Sequence, residues 1–286
     1  MSASEAESHR QTACVEYVKN CAIPIVGIHD DRAWIFGTSA LFIGDGVSCL
    51  VTARHVIDEL NRSVTVDKMV LPVPHRALPG FQRDVNGIGE FTEAGCPTID
   101  PGAVRDVRPP DRSEDICAIV LLSEDVVSQL SRSYNSVDDS FFLAEGAEVE
   151  NYYIAGYPRG ARLDRDGETG YRFYHYCPRK LSAVPEGVLW EPPADPDVNL
   201  FFEPPNNILN QYGKPIKEPD LAGLSGSLVW AELPESQDAG LWRPQRQMRV
   251  AGLQTSCSES RRIVRATRAT TIRSLLASIP PSKDEL

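Results

Sequence analysis

Short apolar, β-branched and aromatic runs, broken every few positions by turn residues, recur along most of the chain. Residues 22–29 (AIPIVGIH), 33–43 (AWIFGTSALFI) and 49–52 (CLVT) are separated by Asp30-Asp31 and by Gly44-Asp45-Gly46. That alternation of strand formers with tight-turn residues predicts antiparallel hairpins. Residues 53–60 then suggest a single helical turn, and residues 61–70 alternate as a strand does. Residues 72–112 are rich in Pro, Gly, Asp and Arg and read mostly as loops with a few short strands. Residues 116–122 (ICAIVLL) form a continuous apolar run that fits a fully buried strand. The polar stretch 123–140 reads as a connection between two lobes.

The second half repeats the pattern. Residues 148–157, 171–176, 198–202 and 249–255 are strand candidates, and 159–170 and 203–220 are loop-like. A polar insertion covers 232–247, and residues 271–278 read as a terminal helix capped by Thr270 or Thr271. The expected organisation is a polar lead-in (1–21), a first β lobe (22–130) and a second β lobe (131–286), mainly β throughout.

Composition narrows the classes. With 286 residues, 42% hydrophobic and 24% charged, the chain has the make-up of a globular protein. A formal charge of −11 argues against a general nucleic-acid binder, so no nucleic-acid partner is expected. No apolar run reaches the length of a membrane span, and the N-terminal residues lack the apolar core of a signal peptide. No membrane partner is expected, and the expected location is the cytoplasm. The closing Lys283-Asp284-Glu285-Leu286 spells a retention address of the secretory pathway, which has no meaning without entry to that pathway. Seven cysteines, with no C-x-x-C pair, suggest neither a zinc framework nor a disulfide scaffold. Reduced thiols follow, with Cys49 and Cys117 as buried small hydrophobes.

Candidate chemistry comes from three stretches. Gly223-Leu224-Ser225-Gly226-Ser227 precedes the apolar Leu228-Val229-Trp230. A serine between glycines suits nucleophilic catalysis, because the turn can tighten and bring N–H groups against a bound carbonyl. Residues 37–56 deliver His55 at the end of a strand pair, and Asp115 immediately precedes a buried strand. Their order in the chain is His, Asp, Ser.

Thr52-Ala53-Arg54-His55, Asp115-Ile116-Cys117-Ala118-Ile119 and Gly223–Ser227 together resemble the motifs of trypsin/chymotrypsin-like serine peptidases, in that family's chain order. Gly156-Tyr157-Pro158 and Val250-Ala251-Gly252-Leu253 resemble its second-barrel strands before and after the nucleophile. The resemblance implies two six-stranded antiparallel β-barrels with a short C-terminal helix, and a serine endopeptidase working through an acyl-enzyme. His55 would be the general base, Asp115 would orient it, Ser225 would attack, and the N–H groups of Gly223 and Ser225 would form the oxyanion hole. No metal or organic cofactor is implied. The partner is a protein or peptide substrate, with a regulatory protein partner suggested by the long insertions at 72–112 and 159–220. Limited proteolysis of an intracellular target is the expected task, and similar proteins occur in bacterial stress or defence modules.

Departures from the family pattern matter. Leu224 stands where many secreted members carry an aspartate that pairs with a new N-terminus, so that activation route is not expected. Val56 replaces a cysteine beside the histidine, which removes a local disulfide. Asp111 competes with Asp115 for the acidic role. The substrate pocket falls near Asp220 and the strand at Thr255, Ser256 and Cys257. Asp220 would favour a basic substrate residue, whereas Arg261, Arg262, Arg265 and Arg268 would favour an acidic one, and all could instead be solvated loop charges. His9, His29, His75 and His175 read as ordinary histidines. The competing function is a catalytically silent module of the same fold that binds a protein or peptide. A sheet-and-helix hydrolase is discounted, because its triad runs Ser, Asp, His.

Overall fold

The computed structural model describes residues 3–29, 32–62, 68–71, 90–91, 98–99, 105–109, 114–158, 162–165, 168–171, 173–190, 193–205, 208–210, 215–216, 221, 223–234, 242–258 and 262–280. The N-terminal segment is a full helix, α1 (Ala3–Lys19), longer than the short lead-in its polar composition suggests. Cys14, Tyr17, Val18 and Cys21 recur at helical spacing and are buried. Tyr17 meets Trp230 of the second lobe edge-on, with ring centroids 5.6 Å apart.

The first lobe holds β1 (Ile23–His29), β2 (Arg32–Gly44), β3 (Val47–Thr52), α2 (Arg54–Arg62), β4 (Lys68–Val70), β5 (Glu90–Phe91), β6 (Thr98–Ile99), β7 (Arg105–Val107) and β8 (Cys117–Val120). Seven of these strands pair antiparallel in the order β6-β4-β1-β2-β3-β8-β7. Asp45 and Gly46 both have positive φ (49° and 73°), which two-residue hairpin turns of type I′ require. Helix α2 runs to Arg62, so 61 and 62 of the strand expected over 61–70 are helical; Lys68–Val70 form β4, and 63–67 lie outside the described residues.

The connection between lobes contains a helix that the polar sequence concealed, α3 (Glu124–Ser133). Ser123 caps it, accepting from Val126 N at 3.4 Å. The second lobe holds β9 (Asn151–Gly156), β10 (Arg162–Arg165), β11 (Glu168–Tyr171), β12 (Tyr174–Tyr176), β13 (Arg179–Lys180), β14 (Asn199–Glu203), β15 (Ile208–Asn210), β16 (Pro215–Ile216), β17 (Leu228–Glu232), α4 (Pro244–Gln247), β18 (Met248–Ser258), β19 (Ile263–Arg268) and α5 (Ala269–Ala277). Nine strands pair in the order β13-β14-β19-β18-β17-β9-β12-β15-β16, while β10, β11 and β5 form a small third sheet.

The fold class is the expected one, mainly β in two antiparallel sheets with a C-terminal helix. The sheets carry seven and nine strands rather than six each, because segments read as loops form short hairpins. Helix α5 begins two residues before the expected start and has Arg268 at its N-cap, with no side-chain cap bond. Thr270 and Thr271 lie inside the helix rather than at its cap, because β19 runs straight into it.

One apolar core joins the lobes. Leu41, Leu50 and Ile119 of the first sheet share it with Trp230, Val250 and Leu253 of the second and with Ile272 and Leu275 of α5. A second core, with Ile154, Phe202, Val229 and Val264, lies within the second lobe.

Candidate active site

β3 ends at Thr52, Ala53 is fully buried, and His55 is the second residue of α2. Asp115, just before β8, holds it twice. His55 N donates to Asp115 Oδ1 at 3.0 Å, and His55 Nδ1 lies 2.7 Å from Asp115 Oδ2. Arg54 N also donates to the Asp115 carbonyl at 3.3 Å. The Asp115 side chain is 8% exposed and that of His55 45%. An ionised carboxylate can only accept, so Nδ1 carries the proton and Nε2 is left as the nitrogen with the free lone pair. The carboxylate also faces the first turn of α2, where unpaired N–H groups favour negative charge.

The serine turn is fixed by its glycines. Gly223 and Gly226 both have φ of 90°. Leu224 N donates to Leu221 O at 3.2 Å, Gly226 N to Gln254 O at 2.7 Å, and Ser227 N to Leu224 O at 2.9 Å. The N–H groups of Gly223 and Ser225 have no acceptor among the described residues. Two open N–H groups astride a serine are what a developing oxyanion requires. Leu224, where an aspartate would have formed an ion pair, is fully buried in the second core, so the turn is anchored by packing instead. The Ser225 hydroxyl donates to Thr255 O over a long 3.5 Å.

The Ser225 turn is tied to the first lobe through Gly37 and Thr38 of β2, neither singled out from the sequence, and its hydroxyl makes no hydrogen bond to His55. Thr38 N donates to Ser225 O at 2.9 Å, Thr38 Oγ1 to Gly223 O at 3.2 Å, and Tyr157 N to Thr38 Oγ1 at 3.1 Å. Thr52 Oγ1, three residues before His55, donates to Thr38 O at 2.7 Å. A Cβ on Gly37 would lie 2.6 Å from Val56 and 2.9 Å from Ser225 O, and one on Gly226 would lie 1.8 Å from Thr38 O. The place of the missing local disulfide is thus filled by Val56 against a bare glycine. A lone glycine within a strand is a known sign of close backbone approach, and Gly37 carried it.

Thr255 occupies an irregularity in β18 between Gln254 and Ser256, and β17 pairs with β18 only as far as Leu253. Beyond it, Ser256 and Cys257 are half-buried on an edge next to Ser225. Asp220, Asp111 and Arg261 lie outside the described residues, as do the side chains of His29 and His75. Arg265 and Arg268 belong to a strand the sequence did not reveal, β19, while Arg262 sits in the turn just before it with a φ of 51°. Arg262 donates to Pro205 O at 3.1 Å, and Arg268 to Pro196 O at 2.8 and 3.1 Å. Arg265 is 1% exposed, with its guanidinium 5.2 Å from the Trp190 ring centroid. Burial lowers its pKa, and the Asp115 charge opposes that shift. His9 is exposed on α1. His175 of β12 is buried, its Nδ1 has no partner among the described residues, and burial lowers its pKa.

Two antiparallel lobes, with His and Asp from the first and Ser from the second, decide the architecture. The fold is trypsin-like. No protein-family model matches the chain, and no curated protein sequence does. Solved structures similar to this trypsin-like chain include the Rv3671c protease from M. tuberculosis in its active form, at 14% identity over 96% of this chain and 86% of that one, with a TM-score of 0.44. Catalytically active tobacco etch virus protease complexed with product aligns at 8% identity over 93% and 80%, with a TM-score of 0.44. The serine protease domain of the Sesbania mosaic virus polyprotein aligns at 14% over 88% and 91%, with a TM-score of 0.38. At such scores these likenesses assign no chemistry to this chain. No described helix is long and apolar enough to cross a membrane.

Proposed function

We propose that the chain is a serine endopeptidase, acting by limited proteolysis on a protein target inside the cell. The observation that carries this reading is the His55 ring held through Nδ1 by buried Asp115, with the lobe that holds it bonded to a serine turn bearing two open N–H groups. Ser225 Oγ attacks the peptide carbonyl while His55 Nε2 takes its proton. Asp115 stabilises the imidazolium, and the N–H groups of Gly223 and Ser225 receive the oxyanion. His55 then returns the proton to the leaving amine. Water, activated by the same nitrogen, releases the acyl group. The substrate backbone would lie along β18 at Thr255–Ser256, beside Ser225, as an added strand.

The test is labelling by a fluorophosphonate, beside Ser225→Ala and His55→Ala variants. The reading expects wild type to label and both variants to lose the label. A second reading is favoured by one contact, the Ser225 hydroxyl directed at the Thr255 carbonyl. On that reading the chain is a silent module that binds a protein or peptide. A folded wild type that never labels, while still binding a peptide along β18, would establish it.

A further inference from the structure

A cavity of about 430 Å³ opens where the lobes meet, and it shares no residue with His55, Asp115 or Ser225. Three elements wall it: the β2–β3 hairpin, the inter-lobe connection and α5. Its walls are apolar, with Phe42, Val47, Val137, Phe142, Leu276 and Ile279 among them. Cys49 also lines it, 1% exposed and with its thiol unpartnered among the described residues. Burial pushes that thiol up to about 12, so it is a neutral, weakly polar part of the wall.

The mouth is acidic. It carries Asp45, Asp138, Asp139 and Arg273. Arg273 is already engaged, donating to both oxygens of Asp139 at 2.9 and 2.8 Å with its guanidinium 5.7 Å from the Phe142 ring centroid. Asp138 accepts only from the neutral Ser140, at N and Oγ. Asp45, held at the hairpin tip by its positive φ, has no partner among the described residues. Two carboxylates at the rim of an apolar chamber therefore have no counter-charge.

We propose that this cavity is a ligand site for a small organic cation, an ammonium group on an apolar body of about ten heavy atoms. The volume admits such a body with room to spare, since a water's share of liquid is about 30 Å³, and sites of this kind combine apolar walls with a few orienting polar groups. The tail lies among Phe42, Phe142 and Leu276, and the ammonium sits between Asp45 and Asp138. Because its walls come from both lobes, an occupied cavity ties the hairpin to α5.

The experiment is calorimetric titration of the full chain with n-octylammonium, octanoate and 1-octanol, read beside thermal melting. Octylammonium is expected to bind once per chain, at least tenfold more tightly than octanoate, and to raise the Tm, since a ligand of the folded state stabilises it. Asp45→Asn should weaken octylammonium at least threefold and leave octanol unchanged, and the double change Asp45→Asn with Asp138→Asn should bring octylammonium down to the affinity of octanol. Ala277→Trp, at the mouth on α5, should abolish binding of all three, and if that variant does not fold, Asp45→Asn decides. Octanoate binding as tightly as octylammonium, an Asp45→Asn variant with unchanged preference, or no saturable octylammonium binding at millimolar concentration would overturn the proposal. Binding heat does not depend on hydrolysis, and Ser225→Ala should bind identically, so this site and the proposed protease activity fail separately.

Discussion

Asp115 serves His55 in two ways, gripping the backbone N–H with one oxygen and the ring with the other. Asp115→Asn keeps the shape but can offer an N–H to Nδ1, which favours the wrong tautomer. The fluorophosphonate labelling rate should fall by about 10³–10⁴, an order taken from the same change in triads of this kind. Thr38 is the complementary case, since it positions the serine turn through Gly223 O and Ser225 O. Thr38→Val leaves the Gly223 carbonyl and the Tyr157 N–H buried and unpaired, at a cost of about 1–3 kcal/mol each. A lowered Tm together with slower labelling is expected, and Thr38→Ser should restore both. A loss of Tm with an unchanged labelling rate in the folded fraction would confine Thr38 to stability.

At the scale of elements, the turn from Gly223 to Gly226 and the strand β2 fit only because two glycines lack side chains. Gly226→Ala would put a methyl 1.8 Å from the Thr38 carbonyl at a φ of 90°. The strain and displacement together should cost at least about 3 kcal/mol and abolish labelling. Gly44→Ala, whose methyl would meet nothing within 4 Å, should stay within about 0.5 kcal/mol of wild type by melting.

The same elements show what a sequence can reveal. Strands β1, β2, β3 and β18 were legible because their apolar runs are bounded by turn residues, and the Gly-Ser turn because its chemistry is local. Helix α1 also left a signal, with Cys14, Tyr17, Val18 and Cys21 at helical spacing, masked by the polar residues between them. Strand β19 was concealed by its arginines, one of which is buried against Trp190. Thr38 could not be found by any local pattern, because its partners Gly223 and Tyr157 lie 185 and 119 residues away. The strand count of the second sheet differs for another reason: β15 and β16 form a short local hairpin whose composition is that of a loop.

At the scale of the whole molecule, α1 covers the second lobe with a partly polar interface. Glu232 of β17 accepts from Tyr153 OH at 2.8 Å and Asn151 Nδ2 at 2.9 Å, and the Cys14 thiol of α1 approaches it at 3.7 Å. Nearby, His175 is buried in its neutral form. Its folded pKa lies below the ordinary 6.5, so the unfolded chain binds the extra proton first as pH falls. Stability is therefore full above about pH 6.5 and declines as pH drops from there towards the folded value. Melting temperatures across pH 5 to 8 should show that decline, and His175→Phe should flatten it while leaving the Tm at pH 8 unchanged or higher. An identical slope in the variant would assign the pH dependence to other groups.

The stitching of the serine turn to Gly37 and Thr38 bears on how a cell can make this protein safely. The ribosome delivers His55 and Asp115 first, Ser225 more than a hundred residues later, and the strands and helix that brace it last of all. A growing or truncated chain thus holds an imidazole with nothing to activate, and a separated second half holds a hydroxyl on a turn whose carbonyls lack their donors. On the proposed function, no unfinished copy can cut its neighbours, and a finished copy that unravels disarms itself as the halves part. On that reading, completion of the fold is itself the safety catch.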